Sequence, residues 1–131
     1  MPVAAASWAV DPVNAQVGAD NEGFLRDEEA LLVIFFLTDE PDKSPDTLAV
    51  FEGMVRDSKA NCGGDVCVFA TGLIPPCTTT TNQKLWKFIE TFGGENPFWG
   101  DIADTDNYAA LVGQSLAQGV GEACLQVPPV G

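Results

Sequence analysis

Seven apolar residues, Leu31–Leu37, follow one another without a polar break, and the acids Asp39, Glu40 and Asp42 come directly after them. An amphipathic helix would place a polar residue in every turn, and a half-exposed strand would alternate polar with apolar positions. A short continuous run with β-branched and aromatic members instead predicts a strand that is buried on both faces, as in a parallel sheet covered by helices.

Apolar residues recur at helical spacing in three later segments, Pro45–Lys59, Asn82–Phe92 and Asn107–Cys124. Each segment is therefore predicted to be an amphipathic helix that turns one face toward a core. Ser44 is the expected N-cap of the first of these helices, because serine side chains accept hydrogen bonds from free amides at a helix start.

Two further apolar segments, Val66–Thr71 and the shorter Phe98–Ile102, are typical of strands. The chain then reads strand, helix, strand, helix, short strand, helix. Alternation at this spacing predicts an α/β fold, namely a three-layer, Rossmann-like parallel sheet with flanking helices.

The predicted sheet is incomplete, because three strands are visible where a doubly wound sheet has about five or six. We divide the chain into an N-terminal arm (1–30), a partial α/β domain (31–127) and a tail (128–131). Three explanations stay open: the arm hides a strand, a partner supplies strands, or the chain is the C-terminal half of a larger domain. Unpaired sheet edges would also favour self-association.

The charge balance narrows the classes of function. The chain has 19 acidic and 6 basic residues, a net charge of -13, and no histidine. Nucleic acids and anionic membrane surfaces are bound through Lys and Arg, so neither is expected as a partner. The lack of histidine removes imidazole bases, the usual serine or cysteine triads and histidine metal ligands. No stretch reaches the ~20 apolar residues of a membrane-spanning helix, so we expect no direct membrane insertion.

The four cysteines, Cys62, Cys67, Cys77 and Cys124, lack the paired spacing of a zinc site. Cys62 and Cys67 enclose a short, glycine-containing loop that could close a disulfide, although buried free thiols are the alternative and the pairing stays open. Disulfides would indicate an extracellular, periplasmic or cell-surface location. Residues 1–10 contain no basic residue and do not form a standard signal peptide, so a leader would lie outside this sequence.

The end of the first strand, Phe36-Leu37-Thr38-Asp39-Glu40, resembles the end of the fourth strand of von Willebrand factor type A (VWA) domains. Residues 23–26 before the strand and 39–44 after it are similar to the subgroup found in secreted or lipoprotein bacterial surface proteins. The resemblance covers about Asn21–Cys124, where the order of elements matches the second half of that domain.

The resemblance implies a non-enzymatic binding or adhesion module with a Mg²⁺ or Ca²⁺ site at the carboxyl edge of the sheet, where a protein ligand completes the metal shell. By position, Asp39 matches the aspartate that the family places after its fourth strand, and Glu40 and Asp42 are weaker candidate ligands. The family's Asp-x-Ser-x-Ser motif and its middle-loop threonine have no counterpart here. Helix capping or simple exposure to water is the alternative role for these acids.

Two other functions stay open. One is a partial structural domain that lacks a competent metal site. The other is a metal-dependent, hydrolase-like α/β enzyme that uses Asp39 and Glu40 as acid and base. We expect a non-enzymatic protein, because the sequence contains no nucleophile–base pair or phosphate-binding loop.

Overall fold

The computed structural model describes residues 1–26, 28–76 and 83–130. Its helices are α1 (Pro2–Val10), α2 (Pro12–Ala15), α3 (Leu48–Ser58), α4 (Gln83–Phe92), α5 (Tyr108–Gly113) and α6 (Gly119–Gln126), and its strands are β1 (Leu32–Leu37), β2 (Val68–Ile74) and β3 (Gly100–Asp101). A π-helical turn, Gln114–Gln118, joins α5 to α6. Short 3₁₀ turns occupy Gly64–Cys67 and Thr105–Asn107. Among the described residues, no helix has both the length and the apolar character needed to cross a bilayer.

The three strands form one parallel sheet in the order β1-β2-β3. The predicted α/β class and the parallel direction of the strands are therefore confirmed. β1 lies at one edge and pairs with β2 along its whole length. The close approach of these strands needs a glycine at Gly72, because a Cβ there would collide with the carbonyl oxygen of Phe36.

Helices α1, α3 and α4 cover one face of the sheet. Ile34 and Phe36 of β1 point into this layer, and the Phe36 ring meets the Phe88 ring edge-on at a centroid distance of 5.5 Å. Val3 and Ala4 of α1 are fully buried in the same core. In its described residues the segment 1–30 thus adds helices and no strand to the fold. The core also contains Val10, Phe51, Val55, Val68, Ala70, Ile74, Leu85, Ile89 and Phe92.

The second face of the sheet is covered unevenly. The C-terminal helical segment crosses β2, where Gly119 lies so close to the Phe69 ring that an added Cβ would overlap it. The β1 residues on this face are not covered in the same way, since Val33 is 38% exposed and Leu37 is 65% exposed. We call the side chains of Val33, Phe35 and Leu37, which share this face by strand alternation, the β1 stripe.

The prediction that the first strand is buried on both faces is therefore wrong. Its position and length are predicted to within one residue, but only Ile34 and Phe36 are buried in it. A run of apolar residues reports that a segment is hydrophobic and does not report whether a second layer exists to cover it.

Several boundaries differ from the predicted ones, and the short third strand, predicted over Phe98–Ile102, is only Gly100–Asp101. The helix predicted over Pro45–Lys59 begins at Leu48, and Ser44 is not its N-cap. β2 continues to Ile74, through residues predicted to form a loop, because these residues extend the ladder with β1 and reach β3. The last predicted helix is confirmed as a helical segment from Tyr108 to Gln126 with a π-helical turn inside it. The predicted helix start at Asn82 lies outside the described residues.

Cys62 and Cys67 form a disulfide with Cα atoms 6.1 Å apart, which confirms the short loop as a place where a disulfide can close. The bond links the turn after α3 to the residue just before β2. Cys124 is a free, exposed thiol. Cys77 lies outside the described residues.

Replacement of both Cys62 and Cys67 by alanine is expected to lower the free energy of unfolding by about 2 kcal/mol, because the closed loop restricts the unfolded chain. Urea denaturation of the purified variant measures the change. The matched control is Cys124→Ala, which removes an exposed thiol and should change the free energy by less than about 0.5 kcal/mol. Equal urea midpoints for the double variant and the wild type would contradict the prediction.

Candidate functional site

The loop after β1 holds the acids that the sequence singled out. Asp39 and Glu40 are both exposed. The Thr38 hydroxyl accepts a hydrogen bond from the Glu40 amide at 3.1 Å and donates to the Glu40 carbonyl at 3.2 Å, which fixes a tight turn. Within the described residues, the Asp39 carboxylate has no hydrogen bond or ion pair. Asp39 is thus the free acid at the carboxyl end of β1.

Asp42 has a different environment, because its side chain is only 7% exposed. Its carboxylate accepts hydrogen bonds from the Val3 amide at 3.0 Å, the Ser44 amide at 3.1 Å and the Ser44 hydroxyl at 2.7 Å. Ser44 Oγ in turn accepts from the Ala4 amide at 2.9 Å. Together they cap the free amides at the start of α1, where the helix dipole favours a negative charge.

This arrangement gives Asp42 and Ser44 a capping role for a helix about 40 residues away in sequence. Both carboxylate oxygens of Asp42 are engaged, so Asp42 fits capping better than metal ligation. The same loop also receives Lys84 of α4, whose Nζ donates to the carbonyl oxygens of Ser44 at 2.7 Å and Asp46 at 2.9 Å. The loop therefore joins α1, β1 and α4.

The residues of this loop do not by themselves complete a cation site. Mg²⁺ takes six oxygen ligands and Ca²⁺ takes six to eight, whereas Asp39 supplies at most two. In the part of the chain that the structure describes, no three His, Cys, Asp or Glu side chains converge as a metal site requires. Asp101 and Asp104 near β3 accept hydrogen bonds from their own loop, at 2.8 Å from the Ala103 amide and 3.0 Å from Asn107. Metal binding at Asp39 stays a prediction that needs oxygen ligands beyond those that the described residues supply.

A cavity of about 790 Å³ lies at the opposite, amino end of β2. The start of β2, the end of α4 and the π-helical turn with α6 line it. Asp65 is one of the lining residues, and its carboxylate accepts a hydrogen bond from Arg56 Nε at 2.6 Å. This hydrogen bond raises the pKa of Arg56. Ligands of open α/β sheets bind at the carboxyl ends of the strands. This cavity lies at the amino end of β2, so the fold does not mark it as a ligand site. Among the described residues, the buried side-chain oxygen without a partner is Ser7 Oγ in α1, which is not among the residues lining the cavity.

The outer side of β1 is the third feature, and sequence reasoning missed its exposure. The Thr38 amide donates to the Leu73 carbonyl of β2 at 3.2 Å. Because successive peptide groups of a strand face opposite sides, the N–H and C=O groups of Val33, Phe35 and Leu37 point away from β2. In the described chain no strand pairs with that side.

Natural edge strands are usually protected by proline, lysine or a bulge. β1 has neither residue, and its pairing with β2 is continuous. The sequence does contain a signal for the open edge. Only three strands are predicted where a doubly wound sheet has about five or six, which indicates an unpaired edge.

Comparison of the chain with family models, with curated proteins and with solved structures gave no match. The class of protein is therefore defined by its architecture. In the residues that the structure describes, it is a mixed α/β protein whose three-stranded parallel sheet is flanked by helices, with an unpaired strand at one edge.

The variant Asp42→Ala is expected to lower the free energy of unfolding by about 2 to 3 kcal/mol, because it removes a buried charged cap and leaves helix amides without an acceptor. The matched control Asp39→Ala removes an exposed carboxylate from the same loop and should change stability by less than about 0.5 kcal/mol. Thermal and urea denaturation measure both variants. Similar losses for the two would show that Asp42 is not the structural acid.

Calorimetric titration of the free chain with Ca²⁺ or Mg²⁺ is expected to show no saturable binding below about 1 mM, because one carboxylate is far short of a full ligand shell. A saturable isotherm that disappears in Asp39→Ala would contradict this and would establish a complete site on this chain alone.

Proposed function

We propose that this protein is a non-enzymatic binding module that holds a protein partner against the outer side of β1. The observation that carries the proposal is the β1 stripe, in which Val33 and Leu37 are exposed and Phe35 is half-buried. These apolar side chains form a row beside a strand edge that no strand of the described residues pairs with. Exposed contiguous apolar patches on folded proteins mark interaction sites more often than they mark chance exposure.

The strand order supports a VWA-like reading of the fold. In a doubly wound sheet of order 3-2-1-4-5-6, the last three strands are neighbours in sequence order, as β1, β2 and β3 are here. By that comparison β1 takes the place of the fourth strand, whose free side would face the first strand. The open side of β1 is then the place where the architecture expects a further strand.

The proposal assigns Asp39 a supporting role. As the free carboxylate at the end of β1, it lies next to the proposed binding surface and would share a Mg²⁺ or Ca²⁺ ion with oxygen ligands of the partner. The Cys62–Cys67 disulfide supports an extracellular, periplasmic or cell-surface location, since disulfides persist in oxidising compartments.

The geometry gives less support to the hydrolase-like alternative. A general acid and base must both reach the reacting group to within about 3 Å. Asp39 and Glu40 are neighbours in an exposed turn, and neither lines the cavity of the described structure.

The variant Leu37→Lys is expected to reduce partner capture at least about tenfold, because it replaces the most exposed apolar side chain of the β1 stripe by a charge. The matched control is Val17→Lys, since Val17 is an apolar residue that is 88% exposed but belongs to the loop after α2 and not to β1. Quantitative capture from an extracellular extract, with and without a chelator, followed by titration of the captured protein, measures the effect. Equal capture by both variants would contradict the proposed surface. A chelator that lowers capture by the wild type but not by Asp39→Ala would establish the shared cation.

A further inference from the structure

We infer that β1 binds its partner by strand addition, and that the partner segment is an extended apolar strand with basic residues at both ends. This inference rests on the proposed function and gives the chemistry of the partner that the β1 surface accepts. The backbone of β1, the β1 stripe and the charges at the two ends of the strand carry it.

The backbone supplies the pairing groups. β1 has six residues, and the N–H and C=O groups of Val33, Phe35 and Leu37 point to its open side. At about 3.3 Å per residue this edge is roughly 20 Å long, which is the length of one ordinary added strand. Main-chain hydrogen bonds to such an edge are the source of affinity in recognition by strand addition.

The side chains beside the edge set the pattern of the partner. An added strand places every second side chain on the face of the sheet that carries Val33, Phe35 and Leu37. Those positions would cover the exposed side chains of the β1 stripe, so they favour apolar residues.

The charges at the two ends of β1 determine which charge is favoured at the two ends of the partner segment. Glu28 and Glu29, before β1, and Asp39 and Glu40, after it, are all exposed, and each end also has one exposed basic residue. Asp42 is not counted, because it is buried in the cap of α1. Each end of β1 therefore has more exposed acids than bases. Lysine or arginine at both ends of an incoming strand would face carboxylates at both ends of β1, which favours association and fixes the register.

The same charges disfavour a second copy of the chain at this edge. Pairing of two β1 strands, parallel or antiparallel, would bring acidic ends against acidic ends, in a protein whose net charge is -13. Salt dependence distinguishes a basic strand from a second copy of the chain at this edge. Screening weakens the attraction of the edge to a basic strand, and it also weakens the repulsion between two acidic copies. Affinity for a basic segment should therefore fall with salt, whereas self-association through β1 should rise.

The probe is a synthetic peptide of about ten residues, in which alternating valine and threonine are flanked by two lysines at each end, to match the length of the edge. Its control has glutamates in place of the lysines. By fluorescence anisotropy, the lysine-flanked peptide is expected to bind at least about tenfold more tightly at low salt, and about 0.5 M NaCl should remove most of that difference. Equal binding of the two peptides, or self-association that grows with salt and excludes the peptide, overturns the basic-strand inference.

Hydrogen exchange followed by NMR tests the pairing residue by residue. In the free protein, the amides of Val33, Phe35 and Leu37 should exchange rapidly, whereas those of Ile34 and Phe36 are protected by bonds to β2. The lysine-flanked peptide is expected to slow exchange at the first set at least about tenfold and to leave the second set nearly unchanged. Binding without this alternating protection overturns strand addition.

Two variants of one residue isolate the backbone contribution. Leu37→Pro and Leu37→Thr both remove the apolar side chain, but only proline removes the outward N–H and puts its ring in the path of the added strand. The Leu37 N–H does not donate to β2, so the ladder between β1 and β2 should survive, as circular dichroism melting would verify. Val33→Pro and Val33→Thr form a second pair for the case in which Leu37→Pro does not fold.

The proline variant is expected to bind the peptide at least about tenfold more weakly than the threonine variant, and equal affinities overturn the inference. If no peptide binds while Leu37→Lys still loses its captured partner, strand addition is wrong and the proposed binding surface stands. If Leu37→Lys retains its partner, the proposed function itself is wrong.

Discussion

The hydrogen bonds from the start of α1 to the buried side chains of Asp42 and Ser44 are the interactions on which the rest of the structure depends. Asp42 and Ser44 satisfy the free amides of α1 and so attach the N-terminal helix to the loop that follows β1. Lys84 fixes the same loop to the start of α4. Through these contacts α1 is held over the face of the sheet that carries Ile34 and Phe36, and that face becomes the main core.

On the opposite face of β1, the described residues form no comparable hydrogen-bonded anchor. The cover of the sheet on this side is the C-terminal helical segment, which is centred on β2 because Gly119 admits the Phe69 ring at very short range. Val33 and Leu37 of the β1 stripe are left exposed as a result, and the unpaired edge lies beside them. Uneven helix cover therefore explains the exposed face of β1, and the lack of a further strand among the described residues explains its unpaired edge.

Acids that look equivalent in sequence have separate physical roles. Asp42 is buried and caps a helix terminus, whereas Asp39 is exposed and has no hydrogen bond or ion pair with the residues that the structure describes, although only two residues lie between them. An acid that caps a helix and an acid that binds a metal ion cannot be told apart by residue type and spacing, since both functions use carboxylate oxygens. The partner of each carboxylate decides its role, and the partners of Asp42 in α1 lie about 40 residues away.

The sequence by itself determined the kinds of the main elements from β1 onward and their order, but not the helices α1 and α2 of the N-terminal arm. The apolar run of β1, the amphipathic spacing of α3 and α4 and the short loop between Cys62 and Cys67 are local patterns, and local patterns report local conformation. Only the tertiary structure decided that one face of β1 is uncovered, that Ser44 caps α1 and not α3, and that β2 continues through Gly72 to Ile74. These outcomes depend on which distant segment packs against each residue, and the hydrophobic pattern of a segment does not specify its partner.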